Sequence, residues 1–303
     1  MSYRDTEYKP SKVREKGGRN LNIHRAQKKW EVAAIANPEV VSTTPTNSIK
    51  NVAQLMEEHD YRRIPVVDGG SGRLEGLAVG IDILDFLGGG QKYNIILKEY
   101  NGNFLSAINA PIHKIMAQPT YIERTTPIND VVEIVISKKT SAIPVVEDLE
   151  TKKVWGIVTE RDLLVNSPKS DLKVKDIMKE ETITSSLGMM LSDVSKLMVR
   201  NRLRRLPVIS EGNLIGVVTV FDVLRYLDRG EYKGVSAEDN LATRVEEIME
   251  KKVISVAPED NISKVITLVE DTGLGGFPVS SDGRLKGIIT TTDVIRAIYG
   301  KGG

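Results

Sequence analysis

The chain has 303 residues, 40% hydrophobic and 27% charged, the make-up of a globular protein with room for about two average domains. It contains no cysteine, which excludes disulfides, thiolate metal sites and a thiol nucleophile, and no apolar run approaches the roughly eighteen residues of a membrane-spanning helix. The net charge of +1 is unevenly spread: residues 1–30 carry nine Lys and Arg against three acids, so this head holds +6 and the remainder −5.

In chain order the first element is that basic head, residues 1–31. It is poor in apolar residues, contains Gly17-Gly18, and reads as a solvated extension. A grip on nucleic acid or another polyanion is the competing reading, although no interleaved aromatics or base-reading motif support it. The opening MSYRDTEYKPSK has no apolar stretch after its charges, so no secretory leader is expected and a cytoplasmic location is the default.

A unit follows over 32–90. Ser48 to Glu58 sets Ile49, Val52, Ala53 and Met56 on one helical stripe, and RRIPVVD at 62–68 is a short β-branched strand. Asp68-Gly69-Gly70-Ser71-Gly72 then makes a hairpin turn into GLAVGID at 76–82, and a second helix runs from Asp82 to a stop at Gly88-Gly89-Gly90. After a linker at 91–108 the pattern returns over 109–167, with Ile128, Val131, Val132 and Val135 as the stripe, SAIPVVE at 141–147 and GIVTERD at 156–162. It returns over 168–228 with RRLPVIS at 204–210 and GVVTVFD at 216–222. A linker at 229–242 leads to the fourth unit, 243–303, with GGFPVSS at 275–281 and GIITTTD at 287–293. The prolines at 65, 144, 207 and 278 precede the closing aspartates at 82, 162, 222 and 293 by 17, 18, 15 and 15 residues. A two-part pattern recurring four times at such offsets is an internal repeat. Each unit is predicted to be strand, helix, strand, strand, helix, an α/β (α+β) arrangement. One unit cannot cover its own sheet face, so the four are expected to pair, first with second and third with fourth.

The x-P-V strand followed by a hairpin and G-h-h-T-x-x-D resembles the CBS repeat, whose pairs are called Bateman modules. Four such repeats with no other domain resemble the γ subunit of AMP-activated protein kinase and its archaeal stand-alone relatives, as does FLGGGQKYN at 86–94 followed by NFLSAIN at 103–109. The resemblance implies a non-enzymatic regulator that binds an adenine nucleotide (AMP, ADP or ATP), has no cofactor or metal, and signals to an unknown regulated protein; a homodimer is left open, and no membrane is involved.

The residues suit that chemistry. A carboxylate can accept both ribose hydroxyls, with a threonine three residues earlier beside it, and this pair is complete as Thr159 with Asp162, Thr219 with Asp222 and Thr290 with Asp293. The first repeat has Val79 before Asp82 and lacks the hydroxyl. Each aspartate could also be a helix N-cap alone. Phosphate calls for arginine, and Arg62-Arg63 and Arg204-Arg205 stand just before the strands of repeats one and three, where repeats two and four have Ser141-Ala142 and Gly275-Gly276. The resemblance implies that Asp162 works with Arg62 and Arg63, and Asp293 with Arg204 and Arg205. The Asp222 cleft would rank third and that of Asp82 last. It also implies a phosphate role for Arg161 and an adenine-lining role for Val40 and Thr182. Met116, Met178 and Met249 are expected in the core, and the scattered His24, His59 and His113 form no metal site.

Two alternatives to nucleotide sensing are an S-adenosylmethionine regulator, which the arginine pairs oppose because that ligand is cationic, and a nucleic-acid regulator using the basic head. An enzyme such as IMP dehydrogenase, which carries CBS pairs, would need a barrel of about 250 residues that the repeats leave no room for.

Overall fold

The computed structural model describes residues 31–167, 170–229 and 234–300; the basic head, including His24, lies outside the described residues. Repeat one opens with a short 3-10 turn, Val32–Ala34, and contains α1 (Ile49–Glu58), β1 (Arg63–Val67), β2 (Leu74–Val79) and α2 (Gly80–Leu84). The linker carries α3 (Tyr93–Glu99) and α4 (Phe104–Ile108). Repeat two has a 3-10 turn at Ile112–Lys114, then β3 (Ile122–Glu123), α5 (Ile128–Lys138), β4 (Ala142–Val146), β5 (Val154–Thr159) and α6 (Glu160–Val165). Repeat three comprises α7 (Val174–Ile177), α8 (Leu191–Asn201), β6 (Arg205–Ser210), β7 (Asn213–Thr219) and α9 (Val220–Arg229). After α10 (Ala237–Leu241), repeat four comprises α11 (Val245–Ile248), α12 (Ile262–Thr272), β8 (Gly276–Ser281), β9 (Arg284–Thr290) and α13 (Thr291–Tyr299).

Local chemistry sets these elements. Ser48 caps α1 by accepting the Asn51 N–H at 3.1 Å, and the predicted stripe Ile49, Val52, Ala53 and Met56 is buried. Asn261 caps α12 in the same way, and Gly273 ends it in the left-handed region at φ 71°. The leading strand of each repeat is shorter than the sequence suggests. Only repeat two shows a two-residue strand, while Thr43, Ser185 and Val256 make single parallel bridges to Val66, Val208 and Val279. Each leading segment borders only one strand of its own hairpin, so little backbone is paired.

The recurring proline has a specific place in this scheme. Pro65 lies opposite Leu77 in the hairpin, yet Leu77 gives both its N–H and its carbonyl to Ala117 of repeat two, at 2.9 Å each. A residue that needed an N–H partner from Leu77 would find none, so proline loses nothing there. The same holds for Pro144 opposite Ile157, which bonds Asn37, for Pro207 opposite Val217, which bonds Glu250, and for Pro278 opposite Ile288, which bonds Lys179. These exchanges tie repeat one to two and three to four. The glycine next to each such residue lets the crossing segment approach: a Cβ on Gly156 would stand 3.0 Å from the Asn37 carbonyl oxygen, and one on Gly216 would stand 2.7 Å from Met249 Sδ.

The strands bear out the expected pairs, but the apolar cores run across them. One core joins repeats one and three, from Ile49, Met56, Ile64 and Phe86 to Val194, Met198, Leu206 and Val223. The other joins repeats two and four, from Val131, Ile143 and Leu163 to Val265, Phe277 and Ile295. Helix α1 packs on α9, and α6 packs on α12 and α13. Strand bridges thus make two modules, and helix faces weld the modules together. The glycine triplet is also more than a helix stop. The chain continues past α2 into a π turn at Asp85–Gly89, where a Cβ on Gly89 would lie 2.9 Å from the Leu84 carbonyl oxygen, and α8 packs directly against it.

Candidate functional site

Within each module the leading segment of one repeat crosses the second hairpin strand of its partner, just ahead of the helix start. The Asn37–Ile157 exchange lays Pro38 over Gly156, three residues before Thr159, and the Lys179–Ile288 exchange lays Glu180 over Gly287, three residues before Thr290, with Lys179 itself reaching Asp293. Val40 and Thr182 are both partly buried, and the Thr182 hydroxyl donates to the Lys179 carbonyl at 3.3 Å.

The Thr-x-x-Asp pairs are capping boxes as well as candidate sugar ligands. Asp162 Oδ2 accepts the Thr159 N–H and hydroxyl at 2.8 Å each, Asp222 Oδ2 accepts those of Thr219 at 2.7 and 2.8 Å, and Asp293 Oδ2 accepts both from Thr290. One oxygen of each carboxylate is therefore fixed by its own helix start. The second oxygen of Asp293 meets Lys179 Nζ at 3.1 Å, and that of Asp222 meets Arg225 at 3.0 Å. Burial pushes the Asp222 carboxyl up to about 6, against the Thr219 hydrogen bonds and Arg225 that hold it down. In repeat one, which lacks the threonine, Lys92 binds Asp82 at 2.5 Å and the Ile115 carbonyl at 2.7 Å, so that cleft is filled by the chain itself.

The arginines converge on the middle of the molecule. Each pre-strand residue bonds the helix start of its own repeat through its carbonyl: Arg62 with the Gly80 N–H, Ser141 with that of Glu160, Arg204 with that of Val220, and Gly275 with that of Thr291. The second arginine of each pair stays within its module. Arg63 donates to the Ser141 hydroxyl, next to the start of α6, and Arg205 donates to the Gly276 carbonyl, next to the start of α13. The first arginine crosses to the other module, which the sequence pattern does not show. Arg62 lies 4.9 Å over the Phe221 ring and reaches the Gly273 carbonyl at 3.5 Å, and Arg204 comes to 3.8 Å from Glu160. Arg161 is exposed and donates to the Glu270 carbonyl near the end of α12, at the edge of this cluster: it flanks Gly273, whose carbonyl Arg62 reaches, and Asp60 feels the charge of both arginines.

Burial is the main cost of this gathering, and mutual repulsion adds to it. Together they lower the guanidinium pKa of Arg63 to about 10 and of Arg205 to about 9, and they lower that of Arg62 as well. All three remain protonated at neutral pH. Glu160, 5% exposed, is the buried acid beside them, accepting the Thr291 hydroxyl at 2.6 Å and that of Thr292. The centre thus presents several forked donors with too little negative charge, an arrangement that fits phosphate. Glu160, Lys92, Lys179, Arg225 and Phe221 were not singled out by sequence reasoning. Four of them flank Thr-x-x-Asp or a leading segment in ways that only the pairing reveals. Glu160 alone had a signal, as an acid at the first helical position where the other repeats have Gly80, Val220 and Thr291.

Met116 and Met249 pack against the core over Gly76 and Gly216, Met178 lies against the second core, and the His113 ring meets the Pro45 carbonyl at 3.1 Å. Among the described residues no cluster of three or more metal-ligating side chains occurs, and no helix is long and apolar enough to cross a membrane.

The CBS domain model matches residues 32–89, 112–168, 174–229 and 245–300. The uncharacterised protein MJ1225 of Methanocaldococcus jannaschii is 33% identical over 269 residues, 86% of this chain and 95% of that one. Its crystal structure, described as that of a proposed archaeal homologue of γ-AMPK, superposes with a TM-score of 0.80, covering 88% of this chain and 99% of that one. An uncharacterised 33.4 kDa protein from a ribosomal RNA operon of Thermofilum pendens is 28% identical over 85% of this chain and 87% of its own length. Inosine-5'-monophosphate dehydrogenase of Bacillus subtilis is 25% identical over 54% of this chain, but only 34% of that enzyme is covered.

Proposed function

This chain belongs to the CBS-domain proteins, with four repeats in two modules, and from that premise we propose that it is a non-enzymatic sensor of adenine nucleotides. AMP, ADP or ATP would place its ribose on Asp162 or Asp293, its adenine beside Val40 or Thr182, and its phosphate among Arg62, Arg63, Arg204 and Arg205. The observation that carries this reading is the arginine centre. Guanidiniums from repeats one and three are drawn together where burial and repulsion disfavour them, and an incoming phosphate relieves both. Arg62 and Arg204 each lean on the opposite module, so a ligand that recruits them changes contacts that hold the modules together. Ligand then shifts the balance between arrangements by its differential affinity for them, and a partner reads the result. S-adenosylmethionine, a cation without phosphate, gains nothing from this centre. Both the Asp222 cleft, where Arg225 holds the carboxylate, and the Asp82 cleft, filled by Lys92, rank below the other two.

Calorimetric titration with AMP, ADP, ATP and S-adenosylmethionine tests the proposal. Adenine nucleotides should bind, S-adenosylmethionine should not, and Asp162→Ala and Asp293→Ala should each weaken one class of site by about tenfold or more, the loss of a charged hydrogen bond. Heat with S-adenosylmethionine alone would overturn it.

A further inference from the structure

We infer that Glu160 sets how much phosphate charge the centre accepts, so that it favours a monophosphate over a triphosphate. This rests on the nucleotide reading above and names the residue that tunes it. Glu160 is the first residue of α6, its side chain is buried, and both carboxylate oxygens accept threonine hydroxyls from α13, so its position is fixed from the opposite module. Arg204 stands 3.8 Å away. The Glu160 N–H bonds the Ser141 carbonyl at 3.1 Å, and the Ser141 hydroxyl receives Arg63, so the backbone of Glu160 adjoins the Arg63 guanidinium.

Its charge bears on Arg62, Arg63 and Arg205 alike, whereas Asp60 bears on Arg62 and Asp82 on Arg63, and Asp82 is already engaged by Lys92. The four guanidiniums less the carboxylates of Glu160 and Asp60 leave a surplus of two positive charges. A phosphate held by Arg63 or Arg205 lies close to a fixed negative group that cannot swing away or be screened by water. The repulsion grows with each further phosphate charge, because Coulomb energy scales with the product of the charges. The arginines supply affinity for any phosphate, and Glu160 limits how many the centre tolerates. Neither threonine can relieve the repulsion by leaving, because each hydroxyl stabilises the carboxylate where it stands.

The test is calorimetric titration of the 303-residue chain, its Glu160→Gln variant and its Glu160→Asp variant with AMP and with ATP, both without divalent cation. The Gln variant can still accept a threonine hydroxyl but carries no charge. We expect it to tighten ATP by about tenfold and AMP by about threefold or less, with Glu160→Asp keeping the wild-type ratio. An unchanged ATP-to-AMP ratio in Glu160→Gln, or equal weakening of both ligands in both variants, would reduce Glu160 to a tie between repeats two and four and overturn the inference. Wild-type protein that binds neither nucleotide overturns the functional reading and this inference together; wild-type binding with an unmoved ratio overturns this inference alone.

Discussion

At the residue scale the arginine centre makes a prediction about stability that opposes its role in binding. Burial, and after it the neighbouring Arg62 and Arg204, pull Arg205 down to about 9, below the ordinary arginine range, so its charged form is disfavoured by folding. That penalty applies at every pH below about 9 and lifts as pH rises from there toward the unfolded value. Replacing Arg205 by Met should therefore leave the ligand-free protein as stable or stabilise it, by about 1 kcal/mol or more at pH 7.5, as when a buried charge gives way to an apolar group. Urea unfolding at pH 7.5 and pH 10 checks this: the gap between variant and wild type should narrow at the higher pH. AMP binding by the same variant should fall by about tenfold or more. A variant less stable at both pH values would mean that Arg205 is a structural strut. Asp82 gives a second residue-scale prediction. Its carboxylate is engaged by Lys92 and lacks a threonine, so Asp82→Ala should leave AMP affinity within about twofold of wild type, well under the cost of a lost charged hydrogen bond.

The residues legible in the sequence were those that repeat. Thr159, Thr219 and Thr290 with their aspartates, and the two arginine pairs, recur at fixed offsets, and such offsets survive without any knowledge of packing. Lys92, Lys179 and Glu160 occur once each, and the last two touch residues far away in the chain: Lys179 meets Asp293, and Glu160 meets Thr291 and Thr292. A single charged residue with a distant partner leaves no periodic trace. The division of labour within each arginine pair was hidden for the same reason, since Arg62 reaches Gly273 and Arg204 reaches Glu160 across the module boundary.

At the element scale, the strand proline and strand glycine of each repeat are two sides of one junction. The proline frees the residue opposite it to bond the neighbouring repeat, and the glycine beside that residue admits the crossing backbone. Gly287→Ala should push against the Lys179 backbone and cost about 1–3 kcal/mol, as overpacking of a tight contact does. Gly188→Ala, where an added methyl meets nothing within 4 Å, should stay within about 0.5 kcal/mol. Thermal unfolding of the two variants side by side measures the difference, and equal melting points would remove the junction as an explanation for the glycine. Helices α1 and α5 and the four hairpins could be read from periodicity and turn residues because each satisfies most of its own hydrogen bonds. The leading strands could not be bounded, since their partners lie on a strand far along the chain and amount to one or two residues.

At the scale of the whole molecule, two kinds of contact cross each other. Backbone exchanges hold repeat one to two and three to four, while the two cores hold one to three and two to four. The first pairing could be inferred from the order of the repeats. The second depends on which helix faces meet, and an apolar stripe says only that a helix is covered, not by what. No repeat can then move without disturbing both a strand exchange and a core, and the arginine centre sits where all four helix starts come together. The account stands or falls on phosphate entering that centre. A crystal structure of the protein soaked with AMP should show ribose on Asp162 and Asp293, with Lys179 moved off the Asp293 carboxylate, and phosphate within hydrogen-bonding distance of Arg63 and Arg205. Clefts that stay empty, or AMP bound with its phosphate in solvent and the arginines unmoved, would contradict it.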